Sequence, residues 1–434
     1  MKDIPIAILG AGSAGVCAAS TIAQRDPQLM QLFEQSAVVG GVSRSYAVGE
    51  LVFDYGLHGF YTKDAEIFEL FAAAVEHEYH RLVPRTADYY QGTWTRHPIY
   101  LNLFPLPKEV LAPCLIDMAE AAQHPPAAPS ENYGEWCRQH YGASYSDIFE
   151  FPFVRKFWTV AAEELALWGP PRKFRAPNMR EVISGALYAE PPNAWHVNEY
   201  FYPKQGGFGQ YIGGLAQALH VHTQKQAIGV DPRRKVVAFA DGTSVHYRYL
   251  ISSLPLPALI AITADVPQSI REAAQRLRHT SAVLVSLGID RSNVLDYHWI
   301  WAYDPAIRFS RLSSPSQYSP ASAPHGTSSL QAEIYVRGSL PDMASVYETT
   351  LHDLTAMGIL KPDDRIIASD IRSIGYAYVI YDRQTRADVA AIHGFLRERN
   401  IICCGRYGNW DNSNVDEVMV DTRQKIQALL GDIT

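Results

Sequence analysis

The sequence IPIAILGAGSAG (4–15) is an apolar run that leads into three glycines with the spacing G-x-G-x-x-G. The apolar run predicts a buried strand, and VCAASTIAQ (16–24) predicts a helix directly after the turn. Gly10 permits the tight turn, Gly12 lets a pyrophosphate approach the backbone, and Gly15 allows the helix to pack closely on the strand. The segment therefore predicts a dinucleotide-binding site on a strand–turn–helix unit.

The segments around this turn extend the predicted cofactor site. Glu34 lies 19 residues after Gly15, at the end of the apolar strand MQLF (30–33), where a carboxylate can accept a hydrogen bond from a ribose hydroxyl. In GGVSRS (40–45) the backbone amides and Arg44 are expected near the ring end of the cofactor, although a structural role, with bonds to cofactor phosphate or neighbouring carbonyls, is the favoured one for Arg44. The cofactor contacts predicted here, besides the glycines of the turn, are Ser13, Ala14, Glu34, Gln35, Gly41, Val42, Ser43 and Arg44.

Composition limits the classes of partner. The chain has 434 residues, which is enough for two or three domains, and its net charge of −7 argues against a nucleic-acid interface. The uncharged stretch 4–23 has the length of a membrane span, but its three glycines and the absence of a basic flank argue against one. Five cysteines without a C-x₂-C pair suit free thiols in a reducing cytoplasm. We therefore expect a cytoplasmic enzyme with a small-molecule substrate and no membrane span; a homodimer is compatible with the sequence.

The order of sequence patterns predicts a discontinuous nucleotide-binding domain. Helical periodicity prevails between 54 and 220, strands prevail from 225, and the apolar strand IICCG (401–405) precedes a helix from about Val415. The predicted segments are 1–60, 200–265 and 386–434 for cofactor binding, 61–199 for a mainly helical insertion, and 266–385 for a β-rich substrate domain. Contacts from both chain ends favour FAD over NAD(P), and they add Gly405, Arg406, Asn414 and Val415 to the predicted cofactor site.

Among titratable residues, His58 is the strongest candidate for catalysis. It lies in FDYGLHGF (53–60), a loop whose glycines let the backbone pass close to a flat ring, so it is also a candidate cofactor contact. Histidine titrates near neutral pH and can relay a proton, but a histidine that only orders the backbone fits the same position. No hydrolytic triad, HExxH, Walker or metal-ligand pattern is present, and we predict no metal.

In this order the motifs resemble the FAD-binding amine oxidase and protoporphyrinogen oxidase-like superfamily, and within it the branch that contains the UDP-galactopyranose mutases. The resemblance rests on FPFVRKFW (151–158), PPRKFR (170–175), FYPKQGGFG (201–209), YDPAIRFSR (303–311) and GRYGNW (405–410). It implies an α/β fold: a Rossmann-type, glutathione reductase-like FAD domain built from discontinuous segments, a helical insertion, and an antiparallel-sheet substrate domain.

The resemblance also implies substrate-site residues. It gives catalytic roles to Trp158, Arg175 and Arg311 beside His58. The substrate-binding residues that it implies are Phe153, Lys156, Arg172, Arg308, Tyr376, Trp410 and Asn412. Phe153, Trp410 and Asn412 stand where the mutases carry tyrosines, so we expect the substrate site to differ, although the arginines would still suit an anionic group.

Two functions remain open at this point. The first is an FAD-dependent oxidoreductase (a dehydrogenase, oxidase or desaturase) that transfers a hydride from a small metabolite, which the arginines would allow to be anionic, to flavin N5. The second is a non-redox mutase, in which N5 of the reduced flavin attacks a sugar nucleotide. The lost tyrosines favour the first, which is the function we expect, whereas the length of the resemblance and the retained arginines favour the second. A cofactor-binding protein without catalysis is a weaker third alternative.

Overall fold

The computed structural model describes residues 2–124, 126, 128–167, 176–189 and 199–432. It is a mixed α/β structure with a nucleotide-binding sheet whose central strands are parallel, a second sheet that is largely antiparallel, and a helical region. Arg172 and Arg175 lie outside the described residues.

The nucleotide-binding sheet draws its strands from three distant parts of the chain. Its described strands, numbered in chain order, are β1 (Lys2–Leu9), β2 (Met30–Phe33), β9 (Val221–His222), β10 (Ala227–Asp231), β11 (Val236–Phe239), β12 (Ser244–Ser252) and β20 (Ile401–Cys403). Strands β9, β2, β1, β12 and β20 are parallel, and the hairpin β10–β11 adds antiparallel pairing to β12. Parallel strands buried on both faces need apolar residues throughout, which explains the unbroken run Ile6–Leu9.

The second sheet is antiparallel except where β15 pairs with β6. Its described strands are β6 (Thr86–Tyr90), β7 (Thr93–Arg96), β14 (Ser281–Ile289), β15 (Trp299–Ala302), β16 (Arg311–Ser313), β17 (Ser328–Val336) and β18 (Ile366–Ile374). The predicted helical insertion, 61–199, thus contributes two strands, β6 and β7, to the second sheet. The turn that joins them, Gln91–Gly92, has left-handed backbone at both residues and closes a tight hairpin, which separates β6 and β7 from the helical pattern.

Three two-stranded ribbons lie apart from the two large sheets among the described residues. They are β3 (Ser45–Val48) with β4 (Leu51–Asp54), β5 (Tyr79–Leu82) with β8 (Tyr200–Pro203), and β13 (Arg278–His279) with β19 (Val379–Ile380). The first ribbon leads from the glycine-rich segment 40–45 into the loop that carries His58.

The described helices surround both sheets. They are α1 (Ser13–Ala23), α2 (Ala65–Ala74), α3 (Lys108–Gln123), α4 (Tyr133–Tyr145), α5 (Phe151–Phe157), α6 (Met179–Leu187), α7 (Gly209–Ala216), α8 (Leu256–Ile262), α9 (Gln268–Arg276), α10 (Pro315–Tyr318), α11 (Met343–Ala356), α12 (Thr385–Arg397), α13 (Gly405–Gly408) and α14 (Val415–Asp432). Helix α14 packs along α1, which brings the C-terminal segment beside the glycine-rich turn. Among the described residues, no helix is both long and apolar enough to cross a membrane.

Candidate functional site

The glycine-rich turn has the geometry that its sequence predicts. Gly10 has a left-handed φ of +92°, and its N–H donates to the carbonyl oxygen of Phe33 at 2.8 Å. A Cβ at Gly15 would overlap the carbonyl oxygen of Gly10, so only glycine lets α1 pack this closely on the turn. The turn and helix roles of these two glycines follow from protein contacts alone.

Gly12 differs from its neighbours because the protein itself leaves room beside it. Its backbone is extended, and a Cβ would have no atom nearer than 3.8 Å, the closest being the Cα of Gly41. Neither strain nor protein packing therefore requires glycine at this position. The open space beside Gly12 fits the predicted approach of a pyrophosphate.

Glu34 lies at the end of β2 with its carboxylate held by backbone amides. One oxygen accepts from the N–H of Ala11 and the other from the N–H of Ser36, each at 2.8 Å. The side chain lies beside the glycine-rich turn and borders the same cavity. Such a fixed carboxylate retains lone pairs that can accept from a ribose hydroxyl.

A cavity of about 620 Å³ joins the glycine-rich turn to the antiparallel sheet. Each predicted cofactor contact except Gly15 lies on its wall: Gly10, Gly12, Ser13, Ala14, Glu34, Gln35, Gly41, Val42, Ser43, Arg44, His58, Gly405, Arg406, Asn414 and Val415. Gly15 packs behind the turn instead, as described above. Segments from the two ends of the chain thus face one another across a single cavity.

Two arginines on the wall, Arg44 and Arg406, bind protein groups through their Nη atoms and leave Nε without a partner. Arg44 donates to the hydroxyl of Tyr55 at 3.1 Å and lies over its ring, but its buried Nε has no partner. Arg406 donates to the carbonyl of Ala377 and to Oδ1 of Asn412, both at 3.2 Å, and its buried Nε is also unpartnered. A buried unpaired donor is costly, which is consistent with a ligand acceptor near each guanidinium.

His58 lies on the cavity wall, where its surroundings favour the neutral imidazole. Its Nδ1–H donates to the carbonyl of Gly56 at 3.0 Å, and its ring packs on Phe208 with 5.0 Å between centroids. Burial lowers the pKa of His58, and the nearby Asp54 carboxylate only partly offsets this effect. With Nδ1 donating, Nε2 is a hydrogen-bond acceptor.

Arg311 lies on β16 and faces the cavity, where a buried carboxylate partners it. Its Nη2 donates to Oε2 of Glu333 on β17 at 2.6 Å, and the side chain of Glu333 is 2% exposed. The hydroxyl of Tyr335 donates to the same oxygen, while the N–H of Leu57 donates to Oε1 at 2.8 Å. Burial alone would raise the pKa of Glu333, but the Arg311 guanidinium holds it below its ordinary value. Glu333 thereby ties the predicted arginine to the loop that carries His58.

Lys156 does not lie on the wall of this cavity, and its role in substrate binding stays a prediction that its contacts argue against. Its ammonium donates to the carbonyls of Ala302, Asp304, Ile307 and Phe309, at 2.6, 2.7, 2.9 and 3.4 Å. Three N–H groups shared among four acceptors leave none for a substrate. Lys156 instead binds the carbonyl groups of the segment that joins β15 to β16 and holds that segment in place.

Other residues carried over from the resemblance also lie away from the cavity wall. Phe153 stacks on Tyr303, with 4.6 Å between ring centroids, and Trp158 is buried with Phe157. Trp410 is 2% exposed in the core of the nucleotide-binding domain, and both ends of the Asn412 amide pair with the backbone of Val379. Arg308 lies at a separate surface depression beside Lys156. These positions are occupied by packing and backbone hydrogen bonds, whereas Tyr376 does lie on the cavity wall.

Sequence reasoning missed several wall residues. They are Tyr55, Leu57, Tyr61, Tyr200, Trp299, Tyr318, Tyr378 and Tyr407, with Glu333 directly behind Arg311. Most are aromatic residues in strands or short helices, and their type alone does not separate them from core residues. Glu333 alone carries a signal, because a carboxylate in the apolar strand SSLQAEIYV needs a buried partner.

Known proteins share this architecture. A family model described as an NAD(P)-binding Rossmann-like domain matches residues 8–74. A crystal structure of reduced UDP-galactopyranose mutase superposes with a TM-score of 0.94 at 22% identity, covering 99% of this chain and 94% of the other. The chain has the fold of UDP-galactopyranose mutase.

The mutase fold extends to oxidases at greater distance. A protein from Exiguobacterium described as a protoporphyrinogen oxidase has a TM-score of 0.75 at 14% identity, and each chain is covered to 99%. A redesigned putrescine oxidase has a TM-score of 0.66 at 13% identity and covers 99% of this chain and of its own. These similarities confirm the α/β fold that the sequence motifs imply, including the Rossmann-like domain at its N-terminus.

Proposed function

We propose that the chain is an FAD-dependent oxidoreductase that acts on a small metabolite. The observation that carries this proposal is the single cavity lined both by the glycine-rich turn and by residues 405–407, 413–416 and 418. A dinucleotide that exchanges in each turnover needs only the turn, whereas one that stays bound can be held along its length by both segments.

The residues on the wall fit FAD. Gly12 leaves space for the pyrophosphate, and Glu34 can accept from a ribose hydroxyl. The unpartnered Nε atoms of Arg44 and Arg406 can donate to acceptors on the cofactor. The first turn of α14 borders the cavity, and a helix N-terminus stabilises negative charge. When bound, FAD supplies two-electron redox chemistry, for which the protein provides binding, orientation and electrostatics.

The chain's own residues suit the oxidation of a bound metabolite. Neutral His58 can accept a proton at Nε2 when a substrate hydroxyl or amine is oxidised. Arg311, fixed by Glu333, can orient a substrate oxygen, and the aromatic wall excludes water from the reacting bond. The packed positions of Trp410 and Asn412 argue against the tyrosine contacts of a sugar-nucleotide site.

Anaerobic spectroscopy tests the proposal. The purified chain is expected to be yellow, and a substrate is expected to bleach the oxidised flavin band without oxygen, with recovery when air is admitted. Primary amines, secondary alcohols and cyclic ketones are the probes, and His58→Ala should slow bleaching while retaining flavin. A colourless protein that does not bind added FAD would refute the cofactor assignment, and a yellow protein bleached by none of the probes would count against the oxidoreductase.

A mutase is the second candidate, because the superposition on UDP-galactopyranose mutase is closer than those on the two oxidases. It predicts that the dithionite-reduced protein converts UDP-galactopyranose to its furanose isomer, measured by chromatography. The oxidised protein is the matched control. Turnover by the reduced form alone would replace the oxidoreductase proposal with the mutase.

A further inference from the structure

The part of the cavity beside the antiparallel sheet has a mainly aromatic wall. The side chains that form it are Tyr200, Trp299, Tyr318, Tyr376, Tyr378 and Tyr407. Among the described wall residues, Arg311 is the charged side chain that this sheet contributes. The group that a substrate presents to Arg311 therefore has a large effect on which substrates fit.

The positive charge of Arg311 is already balanced by Glu333. The two side chains are 11% and 2% exposed, so water screens their attraction little. Glu333 cannot withdraw readily, because the N–H of Leu57 and the hydroxyl of Tyr335 hold its two oxygens. An anion that approaches Arg311 meets this fixed carboxylate directly behind it, and the repulsion offsets much of the attraction.

The pair still leaves a donor for a ligand. Nη2 of Arg311 is bound to Glu333, its buried Nε has no hydrogen-bond partner, and no hydrogen bond of Nη1 is found in the part of the chain that the structure describes. A neutral oxygen can accept from Nη1 without repulsion of a full charge by Glu333. Arg44 and Arg406, also on the wall, use their Nη atoms on protein groups, and each leaves its buried Nε for the cofactor that the proposed function places there.

We propose that the substrate presents an uncharged oxygen, a carbonyl or hydroxyl borne on a ring, to Arg311. The ring packs on the aromatic wall. The Arg311–Glu333 ion pair, whose net charge is zero, binds the oxygen. This inference rests on the proposed function, since it names the substrate class of the same cavity. From the sequence, the arginines suggest an anionic group on the substrate. The inference gives the substrate a neutral group at Arg311 instead.

Benzamide and benzoate test the proposal, because they have nearly the same shape and differ in charge. Isothermal titration of the flavin-loaded protein with each probe gives two dissociation constants. We expect benzamide to bind at least about tenfold more tightly than benzoate. In Glu333→Gln, which releases the charge of Arg311, the ratio should move toward benzoate by at least about tenfold. Glu348→Gln, an exposed change on α11, is the matched control and should leave the ratio unchanged.

A second variant keeps the test decisive if Glu333→Gln does not fold. Arg311→Gln should weaken benzamide binding at least about tenfold, since the donor is lost. Tighter binding of benzoate than benzamide by the unsubstituted protein would overturn the inference, as would binding of neither ring at millimolar concentration. The visible absorbance of each sample reports flavin content separately, so loss of the cofactor refutes the proposed function and is not mistaken for a wrong substrate class.

Discussion

Individual glycines in the first turn have separable tasks, which substitution can distinguish. Gly15 is required by the protein, because a Cβ there would overlap the carbonyl of Gly10, whereas Gly12 faces open space. We expect Gly12→Val to give folded, colourless protein, since the side chain fills the room left for a pyrophosphate. Gly15→Val should instead fail to fold. Circular dichroism and visible absorbance measure the two outcomes, and yellow Gly12→Val protein of normal flavin stoichiometry would contradict the assignment.

The same scale shows where sequence reasoning succeeds and where it fails. Gly10 and Gly15 follow from local backbone geometry, which the motif encodes within six residues, and Glu34 follows from its place at the end of the next apolar strand. Lys156 and Asn412 carry residue types that suit a substrate, but each is used by carbonyls or amides that are distant in sequence. Sequence reasoning misses Glu333 because its partner, Arg311, lies on the neighbouring strand. Partners of this kind depend on strand pairing, which spacing alone does not reveal.

Lys156 provides a prediction that separates a structural role from substrate binding. Lys156→Met leaves up to four buried carbonyls without their donor, and we expect a loss of about 3 kcal/mol in the free energy of unfolding. Urea denaturation measures this loss. Arg155→Met, an exposed change on the same helix, is the control and should cost less than about 0.5 kcal/mol. Unaltered stability of Lys156→Met with impaired ligand binding would restore the role predicted from sequence.

At the scale of elements, the junction between α4 and α5 contains a buried carboxylate. Glu150 ends the π-helical turn Ser146–Glu150 and accepts from the hydroxyl of Tyr133 at 2.7 Å. Burial raises the pKa of Glu150 to about 7, and the hydrogen bond opposes the shift only in part. The helical region therefore contains a group whose ionisation disfavours folding.

The sign of the resulting pH dependence follows from the two pKa values. The folded protein keeps the proton of Glu150 up to about pH 7, while the unfolded chain releases it near the ordinary value of 4.5. Stability should therefore fall as pH rises from about 4.5 to 7 and level off above that range. Between pH 5 and 8 the contribution of Glu150 amounts to about 2 to 3 kcal/mol.

Glu150→Gln tests this prediction, because the amide still accepts from Tyr133 but cannot ionise. The variant should be more stable than the unsubstituted protein at pH 8, and most of the difference should vanish at pH 5. Urea denaturation at the two pH values measures it, with Glu348→Gln as control. Equal stabilities of variant and unsubstituted protein at pH 8 would show that Glu150 is uncharged or solvated there.

At the scale of the whole molecule, the nucleotide-binding sheet is assembled from three separate parts of the chain. Strands from 2–33, 221–252 and 401–403 build one sheet, so the chain leaves this domain twice and returns to it. The sequence predicts this return because an apolar strand and a glycine recur near the C-terminus. It does not predict that β6 and β7, within the helical region, join the second sheet through parallel pairing with β15. That pairing spans about half of the chain.

A cofactor that bridges the chain ends should stabilise them together. At a free concentration about 1,000-fold above its dissociation constant, FAD should raise the free energy of unfolding by about 4 kcal/mol. ADP at the same concentration reaches the turn and Glu34 only, so it should stabilise less. Hydrogen exchange should then show residues 405–407 and 413–416 more strongly protected by FAD than by ADP, because they lie on the cavity wall and the flavin half gives FAD additional contacts with that wall. Gly12→Val should show neither effect. Equal protection of 405–407 and 413–416 by ADP and FAD, or no protection by FAD, would mean that the two ends of the chain do not hold one ligand.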